Sequence, residues 1–208
     1  MQRLVTICLS LSSFWLFSAC ASYTSHLQPL NTTSDCIQKL KPTFTADWYN
    51  ASVDVMGHHI SGLLLFKTMP DSSLRIVFTN EVGVTFFDFE FATDGKFTAK
   101  QAVNKFGNKA VITTLRKDFE LMLLHRTGTS LQCFTSGNEI WYASPAKKET
   151  DYFITDKDCT SLLRAEKVSK RKKKVEMRMT GARHLAPDSV HLQHYTFNMQ
   201  ISLKKLNR

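Results

Sequence analysis

Beyond its first twenty residues this 208-residue chain has no apolar run of the roughly 18 residues that cross a bilayer, so no second membrane span is expected. It also lacks the short signatures of common catalytic sites. There is no G-x-S-x-G, no phosphate-binding P-loop, no G-x-G-x-x-G and no H-E-x-x-H, and no enzyme is expected. The cysteine spacings match neither C-x-x-C nor a zinc pattern. His58-His59 lies in an expected turn. His191 and His194 fall on opposite faces of an expected strand, which is poor for joint ligation, so solvated histidines, no metal and no cofactor are expected. No internal repeat breaks the chain into units. A hydrophobic fraction of 43% and a charged fraction of 22% exclude a disordered or fibrous class and suit one domain with a sizeable core. The net charge of +9 permits an anionic partner without choosing among nucleic acid, phospholipid head groups and lipid phosphate.

What is present begins with an export signal. Met1–Arg3 gives a positive start, Leu4 to Phe17 is apolar and uncharged, and Ser18-Ala19 is small. The end of this run, Phe17-Ser18-Ala19-Cys20, resembles a bacterial lipobox, with Phe17 in place of the preferred Leu. The alternative is an A-x-A site at Ala19-Cys20-Ala21 for ordinary signal peptidase. The lipobox implies residues 1–19 as a lipoprotein signal peptide and acylation of Cys20, and several acyl chains anchor firmly where one would be marginal. No Asp follows Cys20, which in Gram-negative lipoproteins implies the outer membrane, and the absence of an acidic cluster favours the periplasmic side. Residues 20–43 are polar and read as a flexible tether, with one helical turn around Cys36–Leu40. Of the cysteines left in the mature chain, Cys36, Cys133 and Cys159, either two form a disulfide or all three are inert thiols.

From Thr45 the pattern is of strands. Thr45–Met56, Ile60–Met69, Leu74–Glu81, Val84–Phe91 and Lys96–Val103 are separated by turn residues, including Gly57-His58 and Asp94-Gly95, and predict a five-strand antiparallel meander. In the fourth run, Phe87, Phe89 and Phe91 share a dry face, while Asp88 and Glu90 take the wet one. Over Asn108–His125 the period becomes helical: Val111, Leu115, Asp118/Phe119 and Met122 make a stripe that must be buried. Strands resume at Ser130–Thr135, Glu139–Ala143, Leu162–Val168 and Val175–Thr180, and Val190–Leu206 reads as one long closing strand.

Ten strands with one dry face each, and one helix with a dry stripe, predict a mainly β (α+β) domain over residues 44–208. The antiparallel sheet curls into an open or half β-barrel, with the helix packed in its concave face. The interior is either filled by its Phe, Leu and Met side chains or hollow enough for an apolar ligand. Val53, Val55, Leu65, Phe87, Phe89, Leu115, Phe119, Phe197 and Met199 are the expected cleft residues.

A lipobox, a tether, a meander ending in a Phe-rich strand, one helix and further hairpins resemble the lipoprotein-carrier fold of the LolA/LolB-like superfamily. The stretches SGLLLFK (Ser61–Lys67) and RIVFTNEVGVTFFDFEF (Arg75–Phe91) are similar to small outer-membrane lipoproteins of that group. The resemblance implies a non-catalytic, membrane-anchored periplasmic protein that shelters a lipid, an acyl chain or a lipoprotein. It also implies an exposed apolar loop, for which the Val82-Gly83-Val84 corner is the candidate. The partners expected are outer-membrane lipids through Cys20 and a lipid, lipoprotein or envelope-protein ligand, with no nucleic acid. The alternative is a scaffold or assembly lipoprotein whose barrel is filled and which binds another envelope protein.

One charge feature stands apart. From Arg164 to Arg178 eight basic residues and two glutamates leave +6, centred on Lys170, Arg171, Lys172, Lys173 and Lys174. This is either a solvated hairpin tip or a contact for anionic head groups.

Overall fold

The alternating runs become strands whose dry faces turn to one side, and the helix lies against that side. A computed structural model describes residues 23–128, 131–169, 172–181 and 183–206. The N-terminal segment holds β1 (Gln28–Pro29) and α1 (Asp35–Lys39). The first meander is β2 (Ala46–Val55), β3 (His58–Thr68), β4 (Leu74–Thr79), β5 (Thr85–Phe91) and β6 (Phe97–Ala102). Helix α2 (Lys109–Met122) leads to the second: β7 (Gln132–Ser136), β8 (Glu139–Pro145), β9 (Thr150–Asp156), β10 (Leu162–Ser169), β11 (Lys172–Thr180), β12 (Ser189–His194) and β13 (Met199–Lys205).

All thirteen strands belong to one antiparallel sheet in the order β1-β7-β8-β9-β10-β11-β12-β13-β2-β3-β4-β5-β6. The two meanders join where β13 pairs with β2, from Met199 opposite Val55 to Lys205 opposite Tyr49. Among the described residues β6 and β1 do not pair with each other, so the curved sheet is open. The predicted mainly-β class, with an open sheet and one main helix, is therefore observed, with three strands more than the sequence pattern suggested. Val190–Leu206 is a hairpin, β12 and β13, turning at Tyr195–Asn198. β9 carries no period-two signal because Tyr152, Phe153 and Ile154 are all buried, which erases the alternation.

Local chemistry fixes the corners. Met56-Gly57 closes the β2–β3 hairpin with both residues at positive φ, as a two-residue turn demands. Gly62 permits β3 and β4 to approach closely: a Cβ there would lie 2.2 Å from the Thr79 carbonyl oxygen. Asn108 caps α2 by accepting a hydrogen bond from the Ala110 N–H at 2.8 Å. The helix ends four residues after Asp118, short of the predicted His125, because Leu124 takes a left-handed conformation. Leu121 to Leu124 are all buried, so the apolar run continues into the core after the helix has stopped.

The inner core packs α2 on the Phe-rich meander. Phe119 sits within 6.0 Å of Phe66 and Phe87 and 6.4 Å of Phe89, mostly edge to face. A second, smaller core lies on the opposite face of β8–β10, where Trp141, Tyr152, Ile154 and Val168 are buried beneath Tyr23 and Leu27. Residues 23–43 are consequently not a free tether. β1 pairs with the β7 edge, Ile37 is fully buried, Gln38 donates to the Thr127 carbonyl, and Cys36 forms a disulfide with Cys159, 123 residues away. Tyr23, Leu27, Ile37 and Leu40 carry the apolar surface that a free tether would lack, at spacings without strand or long-helix periodicity. Cys133 is the remaining thiol among the described residues, and burial raises its pKa.

Candidate ligand cavity between the helix and the sheet

Between α2 and the concave face of β2–β5, β12 and β13 lies a cavity of 590 Å³, inside the range of small-molecule sites. Strand register gives it a depth scale. At one end Val55, Met199 and His194 lie side by side across three strands. Val53, Ile201 and Leu192 form the next inward level, and Ala51, Leu203 and Val190 the one below. Four residues of strand span about 13 Å. From the helix, Leu115, Phe119 and Met122 close the roof, and Phe78, Phe87 and Phe106 close the side.

Met56 and Phe197, both exposed, line the cavity at the Val55–Met199 end, which marks that end as its mouth. Antiparallel register puts the β2–β3, β4–β5, β8–β9, β10–β11 and β12–β13 turns all at that end. Large exposed hydrophobic residues gather there too: Met56 (74% exposed), Val82 (83%), Val84, Tyr195 and Phe197. Among the described residues Leu185 is the one such side chain elsewhere.

One polar feature interrupts the wall. Asp118, on the predicted apolar stripe of α2, is 2% exposed and pairs with His194 of β12 at 3.0 Å. Burial pushes the Asp118 carboxyl upward, against the smaller opposing pull of the His194 hydrogen bond and of the charges of Lys167 and Lys117. The Phe197 ring lies 4.6 Å from the His194 ring and covers it from outside.

Of the expected cleft residues, Val53, Val55, Phe87, Leu115, Phe119, Phe197 and Met199 line the cavity. Phe89 is buried behind the wall, stacked on Phe87 at 4.3 Å. Leu65 points to the opposite face. The run Leu63-Leu64-Leu65-Phe66 has no alternation of its own, and pairing with β2 turns Leu64 and Phe66 inward beside Tyr49. Sequence reading passed over Met56, His58, Leu64, Phe78, Phe106 and Ile201, which also line it. His194 is a second correction: it is buried and paired, not solvated. His191, by contrast, is exposed beside Ser202. Among the described residues no group of three or more His, Cys, Asp or Glu is placed to hold a metal ion.

The remaining candidates are accounted for by pairing. Asp88 accepts from Arg75 Nε at 2.8 Å, and Glu90 pairs with Lys100 at 3.1 Å. In the basic run, Lys170 and Arg171 lie outside the described residues, as does Cys20. The turn is shorter than expected, since Lys172, Lys173 and Lys174 already belong to β11. Lys172 is exposed and Lys174 half-buried. Lys173 is bound to Glu176 and lies 4.8 Å over the Tyr195 ring. No helix among the described residues is long and apolar enough to cross a membrane.

No family model matches the chain, and no curated protein does. Among solved structures it is similar to a DUF1329 family protein from Desulfovibrio piger, at 11% identity over 86% of this chain and 92% of that one, with a TM-score of 0.47.

Proposed function

We propose that the protein binds the apolar chain of a lipid, a free acyl chain or a lipoprotein in the cavity between α2 and the sheet, without catalysis, while anchored through acylated Cys20 at the periplasmic side of the outer membrane. The observation that carries this reading is a 590 Å³ space with an almost wholly hydrocarbon wall between α2 and the sheet. An apolar wall favours apolar molecules over water. Affinity would come from burial at about 25 cal/mol per Å², so selectivity among chains would be loose.

The anchor and the mouth fit together. Tyr23, the first described residue, follows Cys20 by three positions. Tyr23 packs on the outer face of β9 and β10, donating from its hydroxyl to Glu166, three residues from the mouth end of β10. Exposed Val82, Met56 and Phe197, with Lys172 and Lys174 at the start of β11, would face head groups and acyl chains. Each basic residue near an anionic surface contributes on the order of 1 kcal/mol. Replacing Lys170–Lys174 by Ser is expected to weaken binding to vesicles containing anionic lipid and to leave binding to neutral vesicles unchanged.

Native mass spectrometry and solvent extraction of the purified chain test the main reading. A co-purified lipid or fatty acid supports it. A bare chain that also takes up no added acyl ligand returns the protein to the scaffold class.

A further inference from the structure

We propose that the Asp118–His194 pair is a polar anchor that sets the ligand class: an apolar chain whose neutral hydrogen-bonding linkage, an ester, amide or hydroxyl, sits against this pair, with any charged head left outside the mouth. The inference rests on the reading of the cavity as an apolar-ligand site and adds what that site discriminates.

The wall is the first argument. Thr114, Asp118 and His58 are the polar side chains among the described lining residues. Thr114 and Asp118 are one helical turn apart on the same face of α2, so their polar groups address one spot. A carboxyl in an apolar stripe is costly to bury, and packing alone would be served better by Leu. His194 occupies one acceptor position of Asp118, and a carboxyl group has further acceptor capacity for a ligand.

The second argument is depth. His194 belongs to the outermost register level, beside Met199 and Val55, and is screened from solvent by Phe197. A linkage at Asp118 therefore sits one ring below the surface, with about 13 Å of hydrocarbon wall beneath it for a chain.

The third is charge. A ligand anion at this spot finds the two lysines whose charges reach Asp118 already engaged, Lys167 by Asp151 and Lys117 by Glu149 at 2.8 Å. A ligand cation meets a carboxyl already engaged by His194. Burial that holds Asp118 toward its neutral form disfavours a second charge further. A neutral donor or acceptor is what remains.

The test uses the full-chain protein, the neutral fluorophore N-phenylnaphthylamine as cavity probe, and displacement by hexadecane, palmitamide and palmitate. Palmitamide is expected to displace the probe about tenfold more tightly than hexadecane, the factor one net hydrogen bond supplies, and palmitate more weakly than palmitamide. The palmitamide preference is expected to vanish in Asp118→Leu, to persist in Asp118→Asn, and to fall part-way in Thr114→Val, a variant that leaves the His194 pairing intact. Probe binding with no preference for palmitamide in wild type, or an undiminished preference in Asp118→Leu and Thr114→Val, overturns the anchor and leaves the apolar site standing. Failure of the probe and of all three ligands to bind removes the cavity reading and the anchor with it.

Discussion

The two ends of the sheet solve the same burial problem in opposite ways. Strands β8–β10 are covered on both faces, by the core inside and by Tyr23 and Leu27 outside, and they are tied by charge and by a covalent bond. Lys167 and Asp151 form a buried pair also reached by Arg126 at 3.2 Å. Arg164 bridges Glu139 and Glu166, and lies 5.1 Å over Trp141. The strands from β12 through β5 are covered on their inner face by one helix, and what the helix does not fill is the cavity. One 14-residue helix cannot fill the concave face of so wide a sheet: strands that the N-terminal segment also covers are packed on both faces, and those left to the helix keep a cavity.

The largest break in this contrast should come from the staple. Cys36→Ser opens a loop of 123 residues and is expected to cost about 5 kcal/mol by the chain-entropy argument, read as a drop in the denaturant midpoint. Apolar-probe binding should persist in the fraction that remains folded. Next, Lys167→Met leaves Asp151 buried with Arg126 as its remaining partner, at a cost of about 3 kcal/mol in the same assay.

A matched pair of enlargements sharpens the comparison further. Ala165→Leu, in the filled region, should destabilise by about 1–3 kcal/mol through overpacking. Ala51→Leu, on the cavity wall, should change stability by less than about 1 kcal/mol, because there is space to enter. Similar losses at both positions would mean that the two regions are equally packed.

The smallest effect is electrostatic. Hydrogen bonds from Arg164 hold the Glu139 carboxyl below the ordinary glutamate range. A carboxyl whose pKa is lower folded than unfolded contributes stability above its unfolded value and loses it as pH falls through the folded one. Glu139→Gln should therefore flatten the acid limb of stability below about pH 4.5, by about 1 kcal/mol or less at this half-buried pair.

Much of this was readable in the sequence, and the misses have physical causes. Phe87, Phe89 and Phe91 alternate with charged residues on a half-wet strand, so period two located their face. Leu63-Leu64-Leu65-Phe66 carries no such signal, and Leu65 was placed on the wrong side because its orientation is set by β2, not by its neighbours. The N-terminal strap was read as a tether because it packs through isolated residues, Tyr23, Leu27 and Ile37, that leave no period. Asp118 stood out only as a carboxylate within an apolar stripe. Its partner lies 76 residues away, and a pairing at that distance is a product of the fold alone.

Whether the hollow region receives an apolar chain is decided most directly by titrating the full chain with N-phenylnaphthylamine beside an Ala51→Phe/Val53→Phe variant. The account predicts saturable binding at one site in the wild type. It predicts loss of that binding in the variant, with thermal stability retained. Equal fluorescence from both proteins, or none from the wild type, would contradict it.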